Sequence, residues 1–296
     1  MHRLRRWAPG LLLVSPSLIL LGIFVYGFLG WNLRVSLSDW RGLRPDYAYA
    51  GTGNYRKLPD DTRFTDDVQN VLVFTVVFVV GTLVVGFLLA TLIERRVRFE
   101  GFFRGVFLFP MAISFIATAI VWRWLLSNAQ GNQETGLNKL FGQLHLGFLA
   151  NSWFKSKTMW APAAIALPAG WALSGYVMAL FLAGLRGVPD DLREAARVDG
   201  ANEPRVFWHV VRPMLLPVLM SAVVILAHIS LKTFDLMFAM DVESRKIETP
   251  ALYMWFTTFD GLNFSRGAAI ATLLVLGISV VTVPYITYSV RSERKR

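Results

Sequence analysis

Long stretches of apolar residues without charge dominate the pattern of this chain. In soluble domains, charges usually interrupt the apolar positions every few residues, whereas here charge is almost absent for about twenty residues at a time. Six stretches are predicted to cross a membrane as helices, at about residues 11–33, 68–93, 102–126, 160–185, 213–240 and 267–289. No linker or low-complexity segment divides them. The pattern predicts an all-α membrane protein in which residues 1–296 form a single transmembrane domain.

The distribution of basic residues predicts the orientation of these spans. With both termini in the cytoplasm, the cytoplasmic segments carry sixteen Lys and Arg against eight acidic residues, and the outer loops carry eleven of each. Because basic residues accumulate on the cytoplasmic side, both termini are expected there. The net charge of +10 therefore reflects topology, and no nucleic-acid partner is expected. The first stretch is expected to be an uncleaved span, since it is long and lacks a small-residue cleavage site.

Several kinds of chemistry are excluded by what the sequence lacks. There is no cysteine, which rules out disulfides and thiolate metal sites. The sequence contains no Gly-x-x-x-x-Gly-Lys-Ser/Thr phosphate loop, no His-Glu-x-x-His pair and no Gly-x-Ser-x-Gly motif. We therefore expect no catalytic residue, no metal site and no cofactor bound by this chain, and we expect that it is not an enzyme.

The cytoplasmic loop 188–212 is predicted to contain two short helices. Asp190 is expected to cap the first, which would stop at Gly200. The second would open at Glu203, with proline in its first turn, and end near Pro213. Small residues beside charges would make a compact knob that fits a groove of another protein. An ordinary amphipathic connection between spans is the alternative.

The run Glu194-Ala195-Ala196, followed by Gly200 and Pro213, resembles the EAA loop of binding-protein-dependent ABC importer permeases. The resemblance extends over nearly the whole chain and is closest to carbohydrate permeases of the glucose/mannose or glucoside type, within the maltose-permease-like superfamily. It implies the fold of a type I ABC importer transmembrane domain, in which this loop is the coupling helix that docks on an ATPase subunit. The residues that it assigns to coupling are Asp191, Glu194, Ala195, Ala196, Asp199, Gly200 and Ala201.

The resemblance also implies a function and partners. The chain would form half of the translocation pathway for a sugar in the bacterial inner membrane. The sugar would be a mono- or disaccharide or a glucoside. Its partners would be a second permease in a heterodimer, an extracytoplasmic solute-binding protein, the lipid bilayer and an ATPase dimer that holds ATP and Mg. The alternatives are a permease for a polyol or glycerol phosphate, a non-conducting regulatory scaffold, and a channel or secondary transporter.

Ionisable groups inside the fifth span point to a substrate site. Each costs about 2.5–3.5 kcal/mol on insertion scales and so needs a reason. His228, Lys232 and Asp235 are spaced by four and three, which predicts one helix face, and a sugar site needs hydrogen-bonding groups beside aromatic rings. The alternatives are packing roles for His228 and Trp171 and a structural ion pair between Lys232 and Asp235. The predicted substrate-binding residues are Tyr176, Trp171, His228, Ser230, Lys232, Thr233 and Asp235.

Overall fold

The computed structural model describes residues 13–95, 97–129, 131, 134–155, 158, 160–241 and 246–293. Both chain termini and the first two residues of the predicted first span lie outside these ranges. The described residues are helical apart from loops and one isolated bridge between Ser38 and Tyr49. The principal helices are α1 (Leu13–Ser36), α2 (Gly53–Arg56), α3 (Thr62–Glu94), α4 (Glu100–Leu108), α5 (Phe115–Leu125), α6 (Gly136–Gln143), α7 (Ala161–Arg186), α8 (Asp190–Val198), α9 (Glu203–Leu231), α10 (Asp235–Asp241), α11 (Pro250–Trp255) and α12 (Phe264–Glu293).

Among the described residues, five helices are long and apolar enough to cross a membrane, namely α1, α3, α7, α9 and α12. A sixth crossing results if α4 and α5 are taken together, and the axis bends by 97° between them. The predicted all-α membrane fold is thus confirmed. The stretch 102–126, however, is not one straight helix.

The bend between α4 and α5 has a local cause. Pro110 lies in a 3-10 turn that follows α4, and Ile113 is extended with a ψ of 136°. Proline cannot donate a backbone hydrogen bond, which favours the end of a helix. The new helix then begins at a good N-cap residue, because the Ser114 hydroxyl accepts a hydrogen bond from the Ala117 amide at 3.2 Å.

Helix α3 shows how the spans separate a packed face from a lipid face. Its buried residues recur every three or four positions: Val71, Phe74, Phe78, Thr82, Gly86, Ala90 and Ile93. Its exposed apolar residues follow the opposite face: Leu72, Val76, Val80, Val84, Leu88 and Leu92. A helix that is apolar all round is typical of a membrane span, so the second face is the one that contacts lipid.

One compact unit comprises residues 13–65 and 253–276. At its centre Asp61 accepts a hydrogen bond from the Tyr253 hydroxyl at 2.6 Å and pairs with Arg266. Burial raises the pKa of Asp61, but the Tyr253 hydrogen bond and the Arg266 charge outweigh it, so that the pKa lies below the usual value. The carboxylate therefore stays ionised and holds α12 beside the segment that precedes α3.

The second unit comprises residues 66–252 and 277–293, and α7 is its most buried long helix. Glycines allow close contacts along α7. Gly175 lies against the backbone of Phe107, and Cβ atoms built on Gly86 and Gly184 would come within 2.6 Å of Val177 and 2.8 Å of Leu215. Small residues let helix backbones approach closely in membranes, where lipid tails provide no hydrophobic drive for association.

We expect Gly175→Ala to destabilise the protein strongly, because the added methyl group would collide with the Phe107 carbonyl oxygen. Overpacking costs about 1–3 kcal/mol when neighbours can move, and a backbone neighbour can move little. Thermal unfolding in detergent measures the effect. Gly81→Ala is the matched control, since nothing lies within 4 Å of a Cβ built there. Equal stability of the two variants would contradict the proposed contact.

Candidate functional site

The loop helix α8 begins one residue earlier than expected. Pro189 occupies the N-cap position and Asp190 is already helical, so the prediction that Asp190 caps this helix is wrong. Proline is compatible with this position because the first amides of a helix have no partner within it. Asp190 and Asp191 instead place negative charge in the first turn, where the helix dipole favours it.

The predicted stop of this helix at Gly200 is confirmed. Gly200 has a φ of +84°, a left-handed conformation that glycine adopts without a Cβ penalty. The Gly200 amide donates to the Arg197 carbonyl, and the Ala201 amide donates to the Ala196 carbonyl, both at 3.0 Å. These two bonds make a Schellman motif, which turns the chain sharply away from α8.

The second loop helix does not end near Pro213, so that prediction is wrong. Asn202 caps α9 by accepting the Arg205 amide at 3.1 Å. The helix then continues through a π-helical turn at Phe207–Val211 and past Pro213 as far as Leu231. The wider turn just before Pro213 accommodates the missing proline N–H, and so the loop and the fifth span form one helix.

Two arginines of α8 form ion pairs with glutamates outside this helix. Arg193 donates from Nη2 to Glu94 Oε1 at 2.8 Å and to the Leu185 carbonyl at 2.9 Å, which ties α8 to the ends of α3 and α7. Arg197 binds the carboxylate of Glu203 through two nitrogens, at 2.8 and 3.3 Å. The Arg193 and Glu94 side chains are only 19% and 25% exposed, and hydrogen bonds between charged groups are the stronger ones in proteins. The Arg197 and Glu203 side chains are 48% and 72% exposed, so this second pair contributes little. Arg193 is therefore the anchor of α8, and the sequence pattern did not reveal it because its partner is 99 residues away.

The opposite face of α8 is open. Asp191, Glu194, Ala195 and Val198 are all exposed and follow one another at the i, i+3, i+4, i+7 spacing of a single helix face. Val198 is 87% exposed. The remaining predicted coupling residues surround this face: Asp199 and Gly200 are exposed, and Ala196 and Ala201 are half-buried. The structure therefore gathers the predicted coupling residues on one projection, with an apolar side chain among acidic ones.

A charged cavity of about 770 Å³ lies beside the anchored side of α8. Glu94, Glu100, Arg186 and Arg193 alternate in sign along its wall. Arg186 binds Glu100 at 2.8 Å, which links the end of α7 to the start of α4. The base of the projection is thus a network of ion pairs that joins three spans.

A smaller cavity, of about 210 Å³, brings together four of the predicted substrate residues. His228, Lys232, Thr233 and Asp235 line it. The prediction that three of them share one helix face is wrong, because α9 ends at Leu231 and α10 begins at Asp235. Non-helical residues interrupt the chain in between, and the four side chains nevertheless line one space.

Two aromatic residues complete this cavity. Phe115, at the first position of α5, and Phe234, in the break before α10, contribute rings to its wall. Phe234 also stacks on Phe238, with ring centroids 5.5 Å apart. Sequence reasoning missed Phe115, since only the bend after α4 brings it to the break.

The alternative of a structural ion pair between Lys232 and Asp235 is not seen in the structure. Among the described residues no ion pair joins them, and both are exposed. Lys232 Nζ instead lies 3.5 Å from His228 Nε2, one helical turn back. A cation and a carboxylate therefore stand separately at the cavity, available to bind hydroxyl groups.

The other predicted substrate residues do not line this cavity. Ser230 is fully buried, donates to the Ala227 carbonyl at 2.8 Å and hydrogen-bonds Thr75 at 2.9 Å, so that it ties α9 to α3. The Trp171 ring is 41% exposed and lies 6.1 Å from that of Trp122. Tyr176 is half-buried on α7 and makes no side-chain hydrogen bond within the described part of the chain.

Comparison with known proteins identifies the family. Residues 82–284 match the family described as binding-protein-dependent transport system inner membrane component. The chain belongs to this family. The permease is therefore a membrane subunit of a transport system and not an enzyme.

The permease resembles its relatives along nearly its whole length. It is 38% identical over 287 residues to a probable ABC transporter permease protein of Pyrococcus horikoshii, covering 96% of this chain and 97% of that protein. It is 35% identical over 274 residues to the xylose/arabinose import permease protein of Haloferax volcanii, covering 91% and 84%. A chain of a bacterial ABC transporter involved in alginate import shares the fold, with a TM-score of 0.79, 17% identity and 98% of both chains covered.

Replacement of the anchor residue should loosen α8. We expect Arg193→Gln to lower stability by about 1.5–3 kcal/mol, because two hydrogen bonds of a charged donor are lost. The charge swap Glu94→Arg with Arg193→Glu should rescue only part of this loss, since a glutamate cannot donate to the Leu185 carbonyl. Thermal unfolding of the purified permease measures both effects.

Arg41→Gln is the matched control for this anchor. Arg41 and Asp39 are paired at 3.0 Å, but their side chains are 58% and 53% exposed, and such a pair contributes about 0–1 kcal/mol. A full rescue by the charge swap would show that the Leu185 bond contributes nothing. A loss in Arg193→Gln no larger than in Arg41→Gln would contradict the anchor itself.

Proposed function

We propose that the permease forms half of the translocation pathway of an ATP-driven sugar importer and receives the force of ATP hydrolysis through α8. The observation that carries the proposal is the open face of α8, which projects acidic and apolar side chains while ion pairs hold its other side. A short helix fixed in this way can transmit the movement of a bound partner to the spans behind it.

The proposed partners follow from what this chain lacks. Its sequence contains no phosphate-binding loop, so ATP and Mg would be bound by a separate ATPase dimer that docks on α8. The family description supports delivery of substrate by a binding protein. A second permease would supply the other half of the pathway. Both termini would lie in the cytoplasm of a bacterial cell, as the excess of basic residues predicts.

The cavity at the end of α9 is the proposed place of contact with the sugar. It offers a lysine, a carboxylate, a hydroxyl and an imidazole, with Phe115 and Phe234 beside them. Hydroxyl groups of a sugar can bind the polar groups, and its C–H faces can pack on the rings. The name of the relative from Haloferax volcanii supports a sugar as the substrate class. Tyr176 and Trp171, on α7, would contact the substrate elsewhere along its path.

Charge reversal on the open face of α8 tests the docking proposal. We expect Glu194→Lys to reduce co-purification of the ATPase subunit and ATP-dependent uptake by about tenfold or more, since reversing one charge of a docked pair costs at least about 2 kcal/mol. The stability of the permease itself should not change, because Glu194 is exposed. Asp60→Lys is the control, as Asp60 is also exposed but lies in a predicted outer loop. Normal docking and uptake in Glu194→Lys would refute the coupling role.

The cavity is tested by variants that leave docking intact. Lys232→Gln and Asp235→Asn should each lower sugar uptake by roughly tenfold, the loss of about one charged hydrogen bond, with unchanged unfolding temperature. Ser230→Ala is the contrasting variant: it should lower stability, because two buried hydrogen bonds are lost, and uptake only in proportion to the protein that remains. Uptake at the wild-type level in both cavity variants would mean that the substrate is not bound there.

A further inference from the structure

An apolar groove of about 260 Å³ lies between α3, α7 and α9, away from both sites described above. Phe181 and Leu215 are almost fully buried and form its floor. Val84 and Leu216 stand on its rims and are 52% and 37% exposed. The groove therefore opens on an exposed apolar surface of the spans, and apart from Arg212 the described side chains that line it are apolar.

One cation lines this groove. Among the described residues that line it, Arg212 is the only charged one. Its guanidinium carbon lies 4.9 Å from the ring centroid of Trp208, which holds the side chain at the start of the apolar stretch. Within the described part of the chain no acidic residue pairs with it, and the residue is exposed. An arginine in this position offers several donors to an anion.

We propose that this groove binds an anionic phospholipid, with one acyl chain between α3 and α9 and the phosphate on Arg212. The apolar walls match a hydrocarbon chain, and the exposed arginine beside them matches a phosphate. Arg212 also belongs to the predicted cytoplasmic loop 188–212. The cytoplasmic segments carry the excess of basic residues, to which anionic headgroups are attracted.

An amphipathic anion fits this lining, because the described side chains that form it are apolar except for one arginine. A single acyl chain is also thin and flexible. Its presence would brace the π-helical turn, because Phe207 belongs both to that turn and to the groove, where its ring lies 5.9 Å from that of Phe87.

The headgroup is tested by native mass spectrometry of the purified transporter, incubated with equal amounts of phosphatidylglycerol and phosphatidylcholine. We expect wild type to retain phosphatidylglycerol in preference and Arg212→Gln to reduce this preference roughly tenfold, because about one direct charged hydrogen bond to the phosphate is lost. Arg205→Gln is the matched control, since Arg205 is exposed on the same side but does not line the groove. An equal loss in both variants would mean diffuse attraction by positive charge and would overturn the proposal.

The acyl chain is tested by filling the groove. Val84→Trp should release both lipids from the groove, whereas Val80→Trp, one turn earlier on the same exposed face of α3, should retain them. Equal retention in the two variants would overturn the proposal, as would dissociation of a protein subunit by Val84→Trp alone. Neither measurement uses transport, so a failure here leaves the proposed function untouched, and a failure of the transport tests leaves this inference untouched.

Discussion

The close approach of α7 to its neighbours is the contact on which the second unit depends. In a bilayer the lipid tails solvate apolar side chains as well as a protein core does, so helices associate through tight packing and hydrogen bonds. Gly175 allows the backbone of α7 to touch that of Phe107. Gly86 of α3 leaves room for the Val177 side chain, and Gly184 of α7 leaves room for the Leu215 side chain. With these contacts, the ends of α3 and α7 are held close enough for Arg193 to reach both of them.

Breaks in the helices make the proposed substrate cavity possible. Unpaired backbone groups are tolerated at membrane depth only where they are buried in protein or line a water-filled space. The chain leaves helical geometry at Ile113 and again between Leu231 and Asp235, and the two breaks bring Phe115 and Phe234 to the same cavity. A pathway for a polar solute needs such places, because an unbroken bundle of apolar helices offers few groups for hydrogen bonding.

The sequence predicted the features that depend on composition and local motifs. It did not predict the features that depend on contacts between residues far apart in the chain. The apolar stretches predicted the spans, and Gly200 predicted the stop of α8, since both signals are local. The break after Leu231 carries neither glycine nor proline, and so His228 and Asp235 were placed on one helix face. Pro213 predicts the end of a helix, yet α9 continues past it, because the π-helical turn before it accommodates a residue without an amide N–H. Arg193 and Glu94 could not be paired from sequence, because their contact exists only after α7 and α3 have packed.

The continuity of α9 has a mechanical consequence. Its 29 residues extend for about 43 Å at 1.5 Å per residue, from the cap at Asn202 to the edge of the proposed substrate cavity. Because no break interrupts the helix over this length, displacement and rotation at one end are passed on to the other. A small tilt at the cap therefore becomes a lateral shift of several ångströms at His228, because the displacement grows with the distance from the point about which the helix tilts.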